Sequence, residues 1–263
     1  MNNIITILFV GDVFGETGRA ALGNALPGIR REHAVDVCIV NGENASHGRG
    51  LSLQSAEEIY LAGADCITMG NHTWNNHEIY QFIDDYSIVR PANFASNLPG
   101  KGSVLLEQGG FVVGVVNLQG RVYMDPCDNP FEIAEREVSR LRERTPVIFV
   151  DFHAEATAEK AAMAYFLDGR VTAVAGTHTH VQTADERIVN GTAAISDLGM
   201  CGAYTSVLGR DVDEIVTRFM PDAKTRYTIA EGPGIFCGAV VRIDDETNRA
   251  YSIERIQIRP QGE

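Results

Sequence analysis

Gly176-Thr177-His178-Thr179-His180 follows a short apolar run, Val171 to Ala175, that reads as a strand. In extended or tightly turned backbone, residues two apart point to the same side, so the two imidazoles share a face. Two neutral imidazoles on one face suit borderline transition metals. The arrangement recurs. Ile4–Val10 closes on Gly11-Asp12, Val35–Val40 on Asn41-Gly42-Glu43-Asn44, Asp65–Met69 on Gly70-Asn71-His72, and Val147–Phe152 on Asp151-Phe152-His153. Ligands of open α/β sheets collect at the carboxyl ends of strands. Any one of these residues alone is explained by a turn, a cap or a core hydrogen bond. Five strand ends together are not, because burying that many polar groups without a partner is costly.

Helical stretches alternate with these runs: from about Thr17, read as an N-cap, to Glu32; Leu53 to Ala62; Glu78 to Asp85; a charged helix capped by Asp128-Asn129-Pro130 and ending near Arg144; and Thr157 to Leu167. Pro91 to Gly102 reads as a loop. Val104–Leu106 and Phe111–Leu118 read as strands joined by a Gly109-Gly110 turn, and Thr192–Ile195 continues the sheet. Gly238–Ile243 and Tyr251–Ile258 form a hairpin around Asp244 to Arg249. The pattern predicts an α/β sandwich with a mixed sheet rather than a uniform barrel. No repeat or linker interrupts it, so the expectation is one domain over 1–263.

The chain has 263 residues, 44% of them hydrophobic and 22% charged, ordinary for a globular protein large enough to bury a core without disulfides. Its five cysteines form no C-x-x-C, which points to a reducing compartment, the cytoplasm. Met1-Asn2-Asn3 lacks the positive charge of a signal peptide, and no apolar run approaches the roughly 20 residues of a membrane span. A net charge of −13 argues against bulk nucleic-acid binding but not against a small anionic substrate, since bound cations reverse the sign of a pocket. There is no phosphate-binding Gly-x-x-x-x-Gly-Lys-Ser/Thr and no Gly-x-Ser-x-Gly.

Asp12, Glu43, Asn44, Asn71, His153, His178 and His180 are more ligands than one ion needs. Two ions sharing a carboxylate would use them, in a clamp suited to displacement at phosphorus. The mixed N and O set suits iron, manganese or zinc better than magnesium or calcium.

These residues resemble the calcineurin-like metallophosphoesterases, whose strand ends carry Asp-x-His, Gly-Asp, Gly-Asn-His, a single His and Gly-His-x-His. Gly70-Asn71-His72 and His178-Thr179-His180 match, and His153 takes the single-His place. Two departures stand out: Asp12 is followed by Val13-Phe14, and Asn41-Gly42-Glu43-Asn44 replaces Gly-Asp. With Met69 to Trp74, Arg90 to Asn93, Asn117 to Arg121, Asp151 to Glu155 and Gly176 to Asp185, they make the chain similar to the bacterial YmdB family of cyclic-nucleotide phosphodiesterases. The resemblance covers nearly the whole chain. It implies a four-layer α/β/β/α sandwich, homo-oligomers (dimer or tetramer), a di-iron or mixed transition-metal site, and a small anionic phosphodiester substrate such as 2′,3′- or 3′,5′-cyclic AMP.

It assigns one ion to Asp12, Glu43, Asn44 and His180 and the other to Glu43, Asn71, His153 and His178. A hydroxide between the ions would attack phosphorus, with His72 as general acid. A phosphomonoesterase on the same groups is the competing enzyme reading. A regulatory module for a nucleotide or an RNA-processing partner, with structural metals, is the other class; His72, an imidazole outside the ligand set, argues against it. Thr179 could touch phosphate or simply pack, Arg121 could bind phosphate or form a surface salt bridge, and Trp74 or Tyr123 could stack on a base, with core packing the default for an aromatic residue; His47 reads as a solvated loop residue.

Overall fold

In the computed structural model, residues 4–108, 110–221 and 224–260 are described. The first part of the chain lays down β1 (Ile4–Val10), β2 (Asp12–Val13), α1 (Gly15–Glu32), β3 (Val37–Asn41), α2 (Leu53–Ala62), β4 (Cys66–Thr68) and β5 (Ile88–Val89). A second sheet follows from β6 (Ser103–Gln108), β7 (Phe111–Gln119), α3 (Pro130–Arg142), β8 (Ile148–His153), α4 (Thr157–Phe166), β9 (Ala173–Thr177), β10 (Arg187–Val189) and β11 (Thr192–Ile195). The chain then returns with β12 (Met200–Ala203), α5 (Val212–Arg218), β13 (Gly234–Asp244) and β14 (Arg249–Ile258).

The first sheet runs β2-β12-β13-β1-β3-β4-β5 with β14 on β13, and the second β10-β11-β9-β8-β7-β6. In each the middle is parallel: β1, β3, β4 and β5 in one, β7, β8, β9 and β11 in the other. Parallel neighbours send their carboxyl ends to one edge, which is why the polar strand ends collect.

The apolar runs are continuous because each sheet is covered on both faces. Along β1, Leu8 and Val10 pack outward with Leu22, Leu26 and Ile29 of α1 and Ile59 of α2. Ile7 and Phe9 point the other way, against Val113, Val115 and Phe149 of the second sheet, with the Phe9 and Phe149 rings stacked at 5.9 Å. Val116, Leu118, Val150 and Phe152 cover the far side with Val138 and Leu141 of α3 and Met163 of α4. The result is the helix/sheet/sheet/helix order of the expected four-layer sandwich.

Local expectations shift in places. Thr17 does not cap α1: the helix starts at Gly15, after Phe14, without a side-chain cap. The Gly15 amide donates instead to the Asn44 carbonyl at 2.9 Å, so a neighbouring loop sets the start. The stretch expected as a helix over Glu78 to Asp85 is a 3₁₀ turn, His77–Gln81, capped by Asn76. The helix after Asn129 stops at Arg142. β2, β5, β10, β12 and α5 were not anticipated. Gly109 of the expected turn and Met1-Asn2-Asn3 lie outside the described residues. No helix among those described is long and apolar enough to cross a membrane.

Candidate metal centre

The carboxyl ends of β1, β3, β4, β8 and β9 bring all seven expected ligands and His72 into one cluster. Asp12, Glu43, Asn44 and His153 are buried; Asn71, His72, His178 and His180 are half-buried. Glu43 Oε1 lies at the middle, 3.0 Å from Asn44 Nδ2, 3.2 Å from His153 Nε2 and 3.2 Å from His72 Nδ1. On one side, Asn44 Nδ2 is 3.4 Å from Asp12 Oδ1 and 3.2 Å from His180 Nε2. On the other, His153 Nε2 is 2.9 Å from Asn71 Oδ1 and 3.0 Å from His178 Nδ1. Ligand atoms of Glu43, His153 and His178 all lie within 4.8 Å of one another. Glu43 thus stands between the Asp12, Asn44 and His180 side chains and those of Asn71, His153 and His178. Asn44 would present its oxygen to this group only after a half-turn of its carboxamide, which here aims Oδ1 at His72 Nδ1, 2.7 Å away.

Outer partners set the histidine tautomers. His180 Nδ1 lies 3.1 Å from the Leu208 carbonyl, which can only accept, so Nε2 keeps its lone pair. His178 Nε2 faces Glu155 Oε2 at 3.2 Å, which frees Nδ1. Thr177 Oγ1 donates to Asp151 Oδ1 at 2.7 Å and accepts from His153 Nδ1 at 2.8 Å, which frees Nε2. Asp151 is anchored by Thr68 Oγ1 (2.5 Å) and Asn41 Nδ2 (3.1 Å), linking the two sheets directly beneath the cluster.

Electrostatics agree with a cation-holding site. Burial pushes Asp12 and Glu43 upward, but the neighbouring imidazoles outweigh it: His180 holds Asp12 below the ordinary range, and His153 and His72 hold Glu43 well below it. Burial disfavours charge on His153, yet Glu43 raises it to about 9. Burial and then the charge of His153 push His178 down to about 3. Asp151 rises to about 6 through burial, opposed by His153 and its hydrogen-bond donors. The lone pairs converge from O and N donors, which fits bound metal. Gly70 leaves the space they need, since a Cβ there would collide with Glu43 Oε2 and His153.

His178 and His180 have φ of 100° and 65°, left-handed backbone that non-glycine residues seldom adopt. The segment is clamped from behind. Asp197 accepts the Thr179 amide at 3.0 Å and the Gly199 amide at 2.8 Å, and pairs with Lys160 Nζ at 2.6 Å, both side chains being almost fully buried. Removing one partner of such a pair typically costs about 3–5 kcal/mol. Lys160→Met is therefore expected to lower the denaturation midpoint clearly; an unchanged midpoint would show that the pair does not brace this loop.

A cleft of about 350 Å³ opens above the cluster, lined by His72, Glu155, His178, Thr179, His180 and Arg49 among others. Arg210 closes one side, its guanidinium 4.9 Å above the Phe14 ring, whose edge meets His180. Arg121 lies elsewhere, its amide on Glu159; Tyr123 is solvent-exposed, as is His47. Sequence reading missed Thr177 as the support of His153, and also Asp197, Arg210 and the Leu208 carbonyl. Asp151, at the same strand end, is held by hydroxyl and amide donors.

Comparison with known proteins places these residues in context. The family described as YmdB-like protein matches residues 8–256. The 2′,3′-cyclic-nucleotide 2′-phosphodiesterase of Bacillus subtilis (strain 168) is 48% identical over 254 residues, 96% of each chain. The crystal structure of a hypothetical protein from Thermus thermophilus superposes with a TM-score of 0.91 at 39% identity, covering 97% of this chain and 100% of that one. A crystal structure described as a novel phosphatase from Mycoplasma pneumoniae gives 0.92 at 36% identity, covering 98% and 95%.

Proposed function

We propose that this chain, which belongs to the YmdB-like family, hydrolyses cyclic nucleotides of the 2′,3′- or 3′,5′-cyclic phosphate class at a pair of transition-metal ions. It is a metallophosphoesterase by fold and family. The observation that carries the reading is the position of Glu43 Oε1, shared between two groups of ligand side chains with His72 beside it. Asp12, Glu43, Asn44 and His180 would hold one ion, and Glu43, Asn71, His153 and His178 the other. When bound, such ions lower the pKa of water toward about 7 and draw charge from phosphate oxygens. The N and O donors suit iron first, then manganese or zinc.

The chain's own residues do the rest. Asp12 and Glu43 are the only carboxylates among the proposed ligands, so two divalent ions leave the pocket net positive and attractive to an anion. Arg49 adds charge at the rim of the cleft. His72 lies in the same cleft with its Nδ1 side on Glu43 and Asn44, and its Nε2 side can supply a proton to the departing sugar oxygen. Glu155 and the Leu208 carbonyl keep His178 and His180 in the tautomers that ligation requires. The free cysteines fit a cytoplasmic setting, and a single domain forming a homodimer or homotetramer completes the proposal.

The test is metal analysis of the purified chain with rates on 2′,3′-cyclic AMP, 3′,5′-cyclic AMP, phenyl phosphate and a phenyl diester. Cyclic nucleotides and the diester should be turned over well ahead of the monoester, and chelation should abolish both rates. Preference for the monoester would favour a phosphomonoesterase instead.

A further inference from the structure

The cleft above the metal centre has walls of opposite charge. On the His178 side stands Glu155, its Oε2 3.2 Å from His178 Nε2. On the His180 side stand Arg49 and Arg210. One turn brings Arg210 and His180 together. Val207 and Arg210 exchange backbone hydrogen bonds of 2.9 and 3.0 Å, and the carbonyl of Leu208, between them, accepts from His180 Nδ1 at 3.1 Å.

Arg210 is held in place while its charge stays unpaired. Its Nη2 donates to the Gly48 carbonyl at 3.2 Å and its Nη1 to the Tyr227 carbonyl at 3.1 Å, and the guanidinium lies over the Phe14 ring. Gly48 closes against it, since a Cβ there would lie 3.1 Å from Nη2 and 2.7 Å from Phe14. Two neutral carbonyls do not use up the N–H donors of a guanidinium. Arg49 is next to Gly48 in the chain and is exposed. The arginine ion pairs of the described residues all lie elsewhere. Burial, and then the charge of Arg49, hold Arg210 below the ordinary arginine range. Two like charges set side by side, in a chain of net charge −13, are costly until an anion joins them.

We infer that Arg49 and Arg210 seat a second phosphate of the substrate, carried on the 5′ oxygen of the sugar whose cyclic phosphate lies over the metals. The inference rests on the proposed phosphodiesterase reading for that placement. Guanidinium groups recognise phosphate by forked hydrogen bonds as well as by charge. Glu155 repels such a group from the His178 side, so the two walls together orient the sugar. At about 350 Å³ the cleft falls in the range of small-molecule sites. A 2′,3′-cyclic nucleotide can carry the second phosphate, alone or as the end of an oligoribonucleotide. A 3′,5′-cyclic nucleotide cannot, because its 5′ oxygen is already in the ring.

The test compares 2′,3′-cyclic AMP, its 5′-phosphate derivative and the adenylyl dinucleotide ending in a 2′,3′-cyclic phosphate. The added phosphate should raise kcat/KM about tenfold, the worth of one charge-assisted hydrogen bond, and added salt should shrink the gain. A gain confined to the 5′-phosphate derivative assigns a terminal phosphate, and one seen with the dinucleotide an internucleotide phosphate; either supports the seat. Arg49→Gln alters an exposed side chain, so the fold should stand, and the ratio between the substrates should fall to about one. Three results would overturn the seat: equal kcat/KM with and without the added phosphate, a gain that survives Arg49→Gln, or an equal loss on every substrate, which would put Arg49 on the cyclic phosphate instead. If the parent turned over none of them, the phosphodiesterase reading would fall, while calorimetry would still decide the seat. Adenosine 3′,5′-bisphosphate should bind about tenfold more tightly than adenosine 3′-phosphate, and Arg49→Gln should abolish the difference. Equal affinities in the parent would rule the seat out.

Discussion

Glu43→Gln is expected to deplete both metal positions at once. The substitution keeps size but turns one of two accepting oxygens into a donor and removes the one charge that the proposal has both groups of ligands share. Glu43 Oε1 is within 3.2 Å of atoms from each group, and the residue is fully buried. Loss of an outer partner alone typically weakens a site 10- to 100-fold, so losing the central ligand should weaken it at least that much. Elemental analysis should show metal well below the parent content. Thermal stability gives a second reading, since a ligand that binds only the folded chain raises stability by mass action. The parent should melt earlier after chelation, and the variant should be nearly indifferent to it. Parent-level metal in Glu43→Gln would contradict the bridge.

His72→Ala should do the opposite, keeping metal and losing turnover. The backbone amide of His72, not its side chain, donates to Glu43 Oε2 at 2.9 Å, and alanine preserves that bond. What disappears is the imidazole above the carboxylate. Positioned proton transfer usually contributes about 10²–10⁴-fold. The fall should be of that size for cyclic nucleotides, whose sugar oxygen leaves as a poor anion, and much smaller for nitrophenyl diesters, whose leaving group needs no proton. Equal losses on both would assign His72 a role in shaping the site rather than in proton donation.

Much of the site was readable in advance because its chemistry is written in residue types at strand ends. Gly70-Asn71-His72 and His178-Thr179-His180 carry their ligands within a few positions, and the long apolar runs before them require two covered faces. What could not be read was contact between distant segments. The support of His153 by Thr177 and Asp151 is made of ordinary residues, and the Leu208 carbonyl beside His180 has no side-chain signature at all. β2 and β12 escaped for a different reason. Two residues at Asp12–Val13 show no period, and they pair with Met200 and Cys201 only because α1 and the return of the chain from the second sheet bring them together. The start of α1 was misplaced similarly, because an amide bond to Asn44, not a capping side chain, decides it.

The unusual φ angles at positions 178 and 180 set a limit on engineering. Such conformations cost of order 1–3 kcal/mol each in a non-glycine residue, and glycine or asparagine would relieve them. A screen that rewards thermal endurance alone should therefore drift toward those replacements and end with a sturdier, inert scaffold. Selection for heat resistance in this enzyme has to be run with turnover as a simultaneous requirement.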